Sequence, residues 1–224
     1  MRVTDCLGSI KTSAEYAYRR LEQMIVMLEL APGSQTSESE LQQKVGVGRT
    51  PVREAIQRLA WEGLLEIRPR AGIAVAPLAG EDWLRIMEIR RNVELVLARS
   101  AARQIDAEAK ITLQSAVELM IQAADADDLP AYAAADKLFD IGMAEATRNC
   151  HLVRAATPLQ THTRRFWMHY QGRMDIRKAL TGHIALAEAV IDRDPGRAVR
   201  ETRRLMSYLR TRAETAVERQ LKVA

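Results

Sequence analysis

The chain has 224 residues, a formal net charge of +4 and a hydrophobic content of 47%. This length accommodates two domains, and an aromatic content of only 4% argues against a protein that stacks single-stranded bases on aromatic platforms. No apolar run approaches the roughly 18 residues that a membrane helix needs, and the two cysteines lack a metal-binding spacing, so we expect a cytoplasmic protein with reduced thiols.

The order of elements in residues 13–78 indicates a winged helix-turn-helix, preceded by an N-terminal arm at residues 1–12. Apolar residues recur at helical spacing up to Leu30, where Pro32 and Gly33 end the first helix. Ser37 is typical of a helix cap, and Gly46 ends the short second helix. The predicted elements are helices at 13–30, 37–45 and 50–62, followed by a hairpin of strands at 64–68 and 73–77.

Residues 79–224 have a different character, because alanine becomes abundant and no strand pattern returns. The predicted helices lie at 81–104, 107–124, 129–147, 151–170, 176–193 and 196–221. We therefore predict a mostly α protein whose second domain is an all-α bundle of about six helices, with room for a ligand between facing helices, and we expect this domain to bind the effector and to form most of a dimer interface.

The third helix begins in the segment G-V-G-R-T-P-V-R-E-A-I, which runs from Gly46 to Ile56. Thr50 is predicted to cap this helix, with Pro51 at its first position. In a helix-turn-helix motif the second helix of the pair, here the third helix of the domain, places its N-terminal side chains at base edges. Arg49 and Arg53 are therefore the candidates for reading bases. The alternative is that these arginines form an ordinary solvated face of the helix. The charge of this region does not decide the matter, because residues 1–78 carry 10 Lys or Arg against 9 Asp or Glu.

Two further groups complete the predicted DNA-binding surface. Thr50 and the exposed helix N-terminus are suited to a phosphate, because unpaired N–H groups and the helix dipole favour an anion there. At the tip of the wing, Arg70 and Gly72 are predicted to follow the neighbouring minor groove.

These motifs carry a family resemblance. Leu-Ala-Pro-Gly at 30–33, the segment from Gly46 to Ile56, Leu-x-x-Glu-Gly-Leu-Leu at 59–65 and Pro-Arg-Ala-Gly-Ile-Ala-Val at 69–75 resemble the DNA-binding domain of the GntR family of bacterial transcriptional regulators. The resemblance implies operator contacts by Arg49, Thr50 and Arg53, with Gly72 at the wing. The chain departs from the family at Gly48, where serine is usual.

The second domain resembles the helical effector domain, of FCD type, found in the FadR subfamily. The resemblance rests on Glu-Ile-Arg-Arg-Asn-Val-Glu at 88–94, Asp-Lys-Leu-Phe-Asp at 136–140, Arg-Asn-Cys-His-Leu at 148–152 and the segment from Gly182 to Pro195. It implies a homodimer that binds operator DNA and acts most often as a repressor. It also implies an effector that is a small organic acid or a related metabolite, often bound near a divalent metal.

The metal pattern implied by this resemblance is only half present. Asp136 and His183 match two of the family's ligands, whereas Asp140 and Leu205 stand where histidines are expected. Asp136 and Asp140, four residues apart on one helix, can converge with His183 on a weak, oxygen-rich site. The alternative is a solvated or arginine-paired carboxylate pair with a structural histidine.

Without a metal, an arginine must anchor an organic acid. Arg90 is the leading candidate, against the alternative of an exposed ion pair with Glu88 or Glu94, and Tyr208 is a weaker one. The sequence thus predicts a ligand-responsive transcriptional regulator that is not an enzyme. Two other functions remain open, a metal-dependent enzyme housed in the helical bundle and a DNA-architectural protein without a ligand.

Overall fold

The structure is a computed structural model, and it describes residues 12–70, 72–170 and 176–221, with side chains to residue 218. These residues form two compact units. The first contains the described residues before Gly80 together with Arg164–His169, and the second contains Gly80–Thr163 and the described residues from Tyr170 onward. Apart from Thr12, the predicted N-terminal arm lies outside the described residues.

The first unit is built from three helices and a small sheet. Its elements are α1 (Ser13–Val26), β1 (Gln35–Thr36), α2 (Glu38–Val45), α3 (Arg49–Trp61), β2 (Leu65–Arg68) and β3 (Gly72–Val75). The sheet has the order β1-β3-β2 with antiparallel pairing, in which Thr36 lies opposite Ile73 and Arg68 opposite Gly72. The hairpin of β2 and β3 is the predicted wing, and β1 is a third strand that the sequence did not predict.

Apolar faces of the three helices pack together over the sheet. The buried stripe of α3 consists of Val52, Ala55, Ile56 and Leu59. They form one core with residues of α1, α2 and the wing, namely Ala17, Tyr18, Leu21, Met24, Ile25, Leu41, Val45, Leu65, Ile73 and Val75. This core fixes α3 on the other two helices and leaves its opposite face exposed.

Two predicted helix ends differ from the structure. The first helix ends at Val26 rather than Leu30, because Leu28 adopts a left-handed conformation at φ 62° and Leu30 turns back into the core. The third helix starts at Arg49, with Gly48 as its cap residue and no side-chain cap bond, so the predicted capping role of Thr50 is wrong. Pro51 is accommodated because the first helical turn has no internal partners for its N–H groups.

The second unit is all helix in the part that the structure describes. Its elements are α4 (Gly80–Gln104), α5 (Ala107–Asp125), α6 (Leu129–Thr147), α7 (Cys150–His169, of which Arg164–His169 belong to the first unit), α8 (Ile176–Ile191) and α9 (Pro195–Leu221). The six predicted helices are therefore confirmed with shifts of one or two residues at most ends. Helix α4 packs on α6, α8 and α9, while α5 packs on α6 and α8.

Two close helix approaches in this unit depend on glycine. A Cβ at Gly142 would lie 2.9 Å from the side chain of Leu113, and one at Gly182 would lie 2.9 Å from Leu205 Cδ1. Leu205, which stands where the family has a metal-binding histidine, is itself buried against α8. Its side chain thus takes part in packing α9 on α8.

Among the described helices, none is long and apolar enough to cross a membrane. Cys150 is buried at the start of α7 and is disulfide-bonded, so the expectation of a reduced thiol is wrong for this residue. Cys6 lies outside the described residues.

Candidate DNA-reading surface and effector site

The leading turn of α3 presents the two predicted reading arginines to solvent. The side chains of Arg49 and Arg53 are 71% and 53% exposed, and Thr50 is also exposed. The two arginines lie four residues apart, so they project from the same face of α3. The core contacts of α3 are on its other side, and this face is therefore available to a groove of DNA.

Arg49 and Arg53, the two predicted reading arginines, bind one carboxylate, that of Glu38 at the start of α2. Arg49 Nε donates to Glu38 Oε1 at 2.7 Å, and Arg53 Nη2 donates to Glu38 Oε2 at 3.1 Å. The hydrogen bond from Arg49, and then that from Arg53, lowers the pKa of Glu38 below its ordinary value. Sequence reasoning missed Glu38, although its place at the N-terminus of the helix before α3 is a usable signal.

Helix α2 holds Glu38 in a fixed position. Ser37 Oγ accepts from the Glu40 N–H at 3.2 Å, and Glu40 Oε2 accepts from the Ser37 N–H at 3.0 Å, which completes a capping box around Glu38. Glu40 also accepts a hydrogen bond from Thr36 in β1 at 2.9 Å. The carboxylate that orients the arginines is thus supported by the local structure on both sides of it.

Arg58, on the same helix as the reading arginines, has an internal role instead. Its guanidinium binds Glu15 of α1 at 2.9 Å and Glu62 at 3.1 Å, and it lies 3.5 Å from the centre of the Tyr18 ring. Tyr18 in turn donates to Glu62 at 2.8 Å. These contacts tie α1 to α3, so Arg58 belongs to the scaffold and not to the exposed basic surface.

The wing contains the other two predicted DNA contacts. Arg70 is exposed and has a left-handed backbone at φ 64°, whereas Ala71 lies outside the described residues. Gly72 has φ 86°, and a Cβ there would lie 3.2 Å from the carbonyl oxygen of Thr36 in β1. Glycine at this position therefore serves both the turn and the close approach of β1.

In the second unit, four helices bring polar side chains into the interior. Arg90 Nε on α4 donates to Glu94 Oε1 at 3.1 Å, and Gln160 Nε2 on α7 donates to the same oxygen at 3.0 Å. On facing helices, His183 Nε2 of α8 lies 3.2 Å from Asp136 Oδ1 of α6. All of these side chains are buried except Asp136, whose side chain is 20% exposed.

Arg90 joins the two halves of this cluster. Burial alone lowers the pKa of Arg90, but the carboxylates of Glu94, Asp140 and Asp136 outweigh it and raise the pKa above its ordinary value. Arg90 does pair with Glu94, as one alternative had it, but the pair is buried and not exposed. Within the described chain, Nε is the Arg90 nitrogen that donates, to Glu94.

His183 has a defined orientation in the bundle. Its Nδ1 lies 2.9 Å from the carbonyl oxygen of Ala179, and its ring meets the Phe139 ring edge to face at 5.1 Å between centroids. A carbonyl accepts only, so Nδ1 carries the proton in this contact. The other ring nitrogen, Nε2, faces Asp136.

The predicted metal ligands are only partly assembled. Asp136 and His183 meet, but in the described part of the chain no three His, Cys, Asp or Glu side chains are arranged to hold a metal ion. Leu205 adds packing and no ligand atom. The donor set therefore does not fit a histidine-rich divalent metal site, and a metal at Asp136, Asp140 and His183 stays a prediction.

Tyr208 and Tyr132 lie on the α9 and α6 sides of the same cluster. Burial, followed by the proximity of Asp136 and Tyr208, raises the pKa of the buried Tyr132 hydroxyl. The Tyr208 ring lies 5.2 Å from the ammonium of Lys178 on α8. Sequence reasoning named Tyr208, but it missed Tyr132 and Gln160, which have no distinguishing motif in the sequence.

Two family profiles match successive parts of the chain. Residues 13–75 match the family profile described as "Bacterial regulatory proteins, gntR family", and residues 85–208 match the FCD domain. The chain is 34% identical over 143 residues to an HTH-type transcriptional regulator from the TAR-I ttuE-ttuC' intergenic region of Agrobacterium vitis, covering 61% of this chain and 84% of that protein.

Two further relatives are named as repressors. A probable D-xylose utilization operon transcriptional repressor of Paenarthrobacter nicotinovorans is 29% identical, covering 76% of this chain and 77% of the relative. The repressor NanR of Klebsiella aerogenes is also 29% identical, covering 92% and 85%. Among solved structures, E. coli McbR/YncC has the same fold, with a TM-score of 0.78 and 18% identity over 94% of this chain and 99% of that one.

Proposed function

Because the chain belongs to the gntR family of bacterial regulatory proteins with an FCD effector domain, and is thus a ligand-responsive DNA-binding transcriptional regulator, we propose that it is a dimeric repressor acting in the cytoplasm. The family assignment confirms the predicted regulator and excludes the enzyme and architectural alternatives. Repression is proposed because two of its relatives are named as repressors. The observation that carries the proposal is the exposed arginine pair on the leading turn of α3.

On operator DNA, we propose that Arg49 and Arg53 exchange the Glu38 carboxylate for acceptors on the DNA. Guanine offers O6 and N7 at the spacing of the guanidinium fork, and the phosphates next to it offer anionic oxygens. Until DNA binds, Glu38 keeps both side chains extended over the same face of α3. This pre-organisation lowers the entropy that the arginines lose on binding.

Contacts outside the reading helix set the register. Thr50 and the free N–H groups of the first turn of α3 bind a phosphate, and Arg70 with Gly72 approaches the minor groove beside it. Two reading helices in a dimer require a pseudo-palindromic operator.

In the second unit, the interior cluster is the proposed effector site, and its ligand is a small organic acid or a related metabolite. Arg90 donates to Glu94 through Nε, and its two terminal nitrogens can bind the carboxylate of the ligand. His183, Asp136, Asp140 and Tyr208 supply acceptors and donors for hydroxyl groups of the same ligand. Binding shifts the dimer between forms that differ in operator affinity, by no more than the ligand's differential affinity for them.

The DNA half of the proposal is tested by titrating labelled DNA from the region upstream of the gene with the protein, using fluorescence anisotropy and a scrambled duplex as control. We expect saturable binding to one site that is weakened in the Arg49→Ala variant. Equal affinity for the operator and the scrambled duplex would refute sequence-specific recognition.

The effector half is tested by a thermal-shift screen of carboxylic acids and acyl-CoA esters, because a ligand of the folded state raises Tm by mass action. A true effector also changes operator affinity, and both responses are reduced in Tyr208→Phe. Elemental analysis of protein purified without chelator tests the metal. Less than one metal per chain, unchanged by Asp136→Ala, would remove it from the proposal.

A further inference from the structure

The net positive charge of the chain is concentrated on its last described helix, α9. This helix carries seven arginines, three glutamates and no other charged residue, which is a surplus of four, and the whole chain has a formal net charge of +4. Acidic and basic residues are therefore balanced over the rest of the chain. Because net charge alone does not identify a binding surface, the placement of these arginines on the helix decides what they can bind.

One face of α9 consists of exposed arginine and hydroxyl side chains, and we call it the basic stripe. Its members are Arg200, Arg203, Arg204, Ser207, Arg210 and Thr211. At about 100° per residue these positions fall within an arc of about 120°, and the arginines extend over about 15 Å of the helix. The opposite face of α9 packs on α4 and α8, so the stripe is the side of the helix that is turned to solvent.

The basic stripe contains no acidic side chain, and its charges are only partly compensated. Arg204 pairs with Glu201 at 2.9 Å, and Arg210 pairs with Glu214 at 2.9 Å. Within the described part of the chain, Arg200 and Arg203 form no ion pair. Like charges three and four residues apart on a helix repel each other and destabilise it. An anionic partner that binds along the stripe would remove this repulsion.

The composition of the stripe fits the phosphate backbone of DNA better than a protein or a membrane surface. Guanidinium groups pair with phosphate oxygens, and hydroxyls such as those of Ser207 and Thr211 also donate to them. Of the large apolar side chains that are exposed in the described residues, none lies on α9, although a membrane-inserted helix and a protein–protein interface core both need them. Over about 15 Å, one strand of a duplex carries about four phosphates, which equals the number of arginines in the stripe.

We propose that the basic stripe of α9 is a second DNA-binding surface, which binds the phosphate backbone of duplex DNA without reading its sequence. Its arginines donate to phosphate oxygens and displace counterions, so the stripe adds affinity that depends on salt and not on base sequence. This goes beyond the proposed function, in which α3 and the wing make the contacts with DNA. Because the stripe recognises only phosphates, a duplex of any sequence is a sufficient probe.

The salt dependence of DNA binding tests the stripe. The purified full chain is titrated, by fluorescence anisotropy, into a labelled duplex of random sequence about 60 base pairs long, at salt concentrations from about 50 to about 200 mM. In Arg200→Ala/Arg203→Ala, the slope of log K against log salt should be less steep than in the wild type by about 1.8 for each chain bound, because each phosphate contact contributes about 0.9. Over this range of salt, the variant should therefore lose about tenfold less affinity than the wild type.

Two further variants are the controls for total charge and for the stripe itself. Arg103→Ala/Arg154→Ala removes the same two charges from exposed positions on α4 and α7, and its slope should equal that of the wild type. Arg200→Lys/Arg203→Lys keeps both cations in the stripe, and it should also keep the slope of the wild type, because counterion release depends on charge. Circular dichroism and Tm establish that the variants are folded.

Each result supports or overturns the inference. A wild-type slope in Arg200→Ala/Arg203→Ala, or an equal change in Arg103→Ala/Arg154→Ala, would show that the stripe does not bind DNA. Loss of binding to vesicles of anionic lipid in the stripe variant, with an unchanged slope on DNA, would replace the inference by a membrane contact. Preference for the operator over the random duplex should persist in the stripe variant and fall in Arg53→Ala, so a failure of the stripe and a failure of the proposed reading helix are distinguishable.

Discussion

Replacing two arginines on the same helix separates DNA reading from fold stability. Arg53→Ala removes an exposed side chain whose partner, Glu38, can return to water, so we expect the free energy of unfolding to change little. Arg58→Ala removes two hydrogen bonds to carboxylates and a stacking contact. A buried hydrogen bond to a charged group contributes about 1.5–3 kcal/mol, but the Arg58 side chain is 39% exposed and its ion pairs are partly screened by solvent. We therefore expect the free energy of unfolding to fall by about 1–2 kcal/mol.

For operator affinity we expect the reverse, a large loss in Arg53→Ala and little loss in Arg58→Ala. Loss of one bidentate base contact costs about 1–3 kcal/mol, so Arg53→Ala should bind operator roughly 5- to 150-fold more weakly by fluorescence anisotropy. Arg58→Ala should bind like the wild type at a temperature where it is folded. Urea unfolding of both variants gives the stability half of the comparison.

Arg53→Lys is the control for charge. It keeps the cation but loses the planar fork, so affinity for non-specific DNA should persist while preference for the operator falls. If Arg58→Ala weakened operator binding as much as Arg53→Ala while remaining folded, the reading face of α3 would be wrongly assigned.

Two further predictions concern the supports of the two sites. Gly72→Ala should lower the free energy of unfolding, measured in urea, by about 2–3 kcal/mol, because the new Cβ meets both an unfavourable φ and the β1 backbone. Gly33→Ala is the control, since Gly33 has φ 77° but open space around it, and it should lower the same free energy by about 1 kcal/mol. Equal losses in the two variants would exclude the contact with β1 as the cause. Glu94→Ala should lower the free energy of unfolding by about 3–5 kcal/mol, because Arg90 is left buried without its carboxylate. The double variant Arg90→Met/Glu94→Leu removes both charges, so its free energy of unfolding in urea should return most of the way to that of the wild type.

The helical domain was predictable from the sequence because its helices have long, regular apolar periods and clear end signals. Helix α6 was predicted at 129–147 and lies at Leu129–Thr147, with Asp128 as its side-chain cap. The end of α1 was not predictable in this way. Leu28 is a strong helix former whose left-handed backbone follows from the burial of Leu30, a tertiary effect that local propensity does not contain.

The candidate sites show the same limit. A spacing of four residues placed Arg49 with Arg53, and Arg90 with Glu94, on common helix faces, but it could not distinguish an exposed pair from a buried one. Which partner each side chain finds depends on neighbouring elements, as with Glu38 from α2, which binds Arg49 and Arg53, or Gln160 from α7, which donates to Glu94. Sequence reasoning therefore found side chains of both sites, with Glu94 as one possible partner of Arg90, and missed Glu38 and Gln160, which come from other helices.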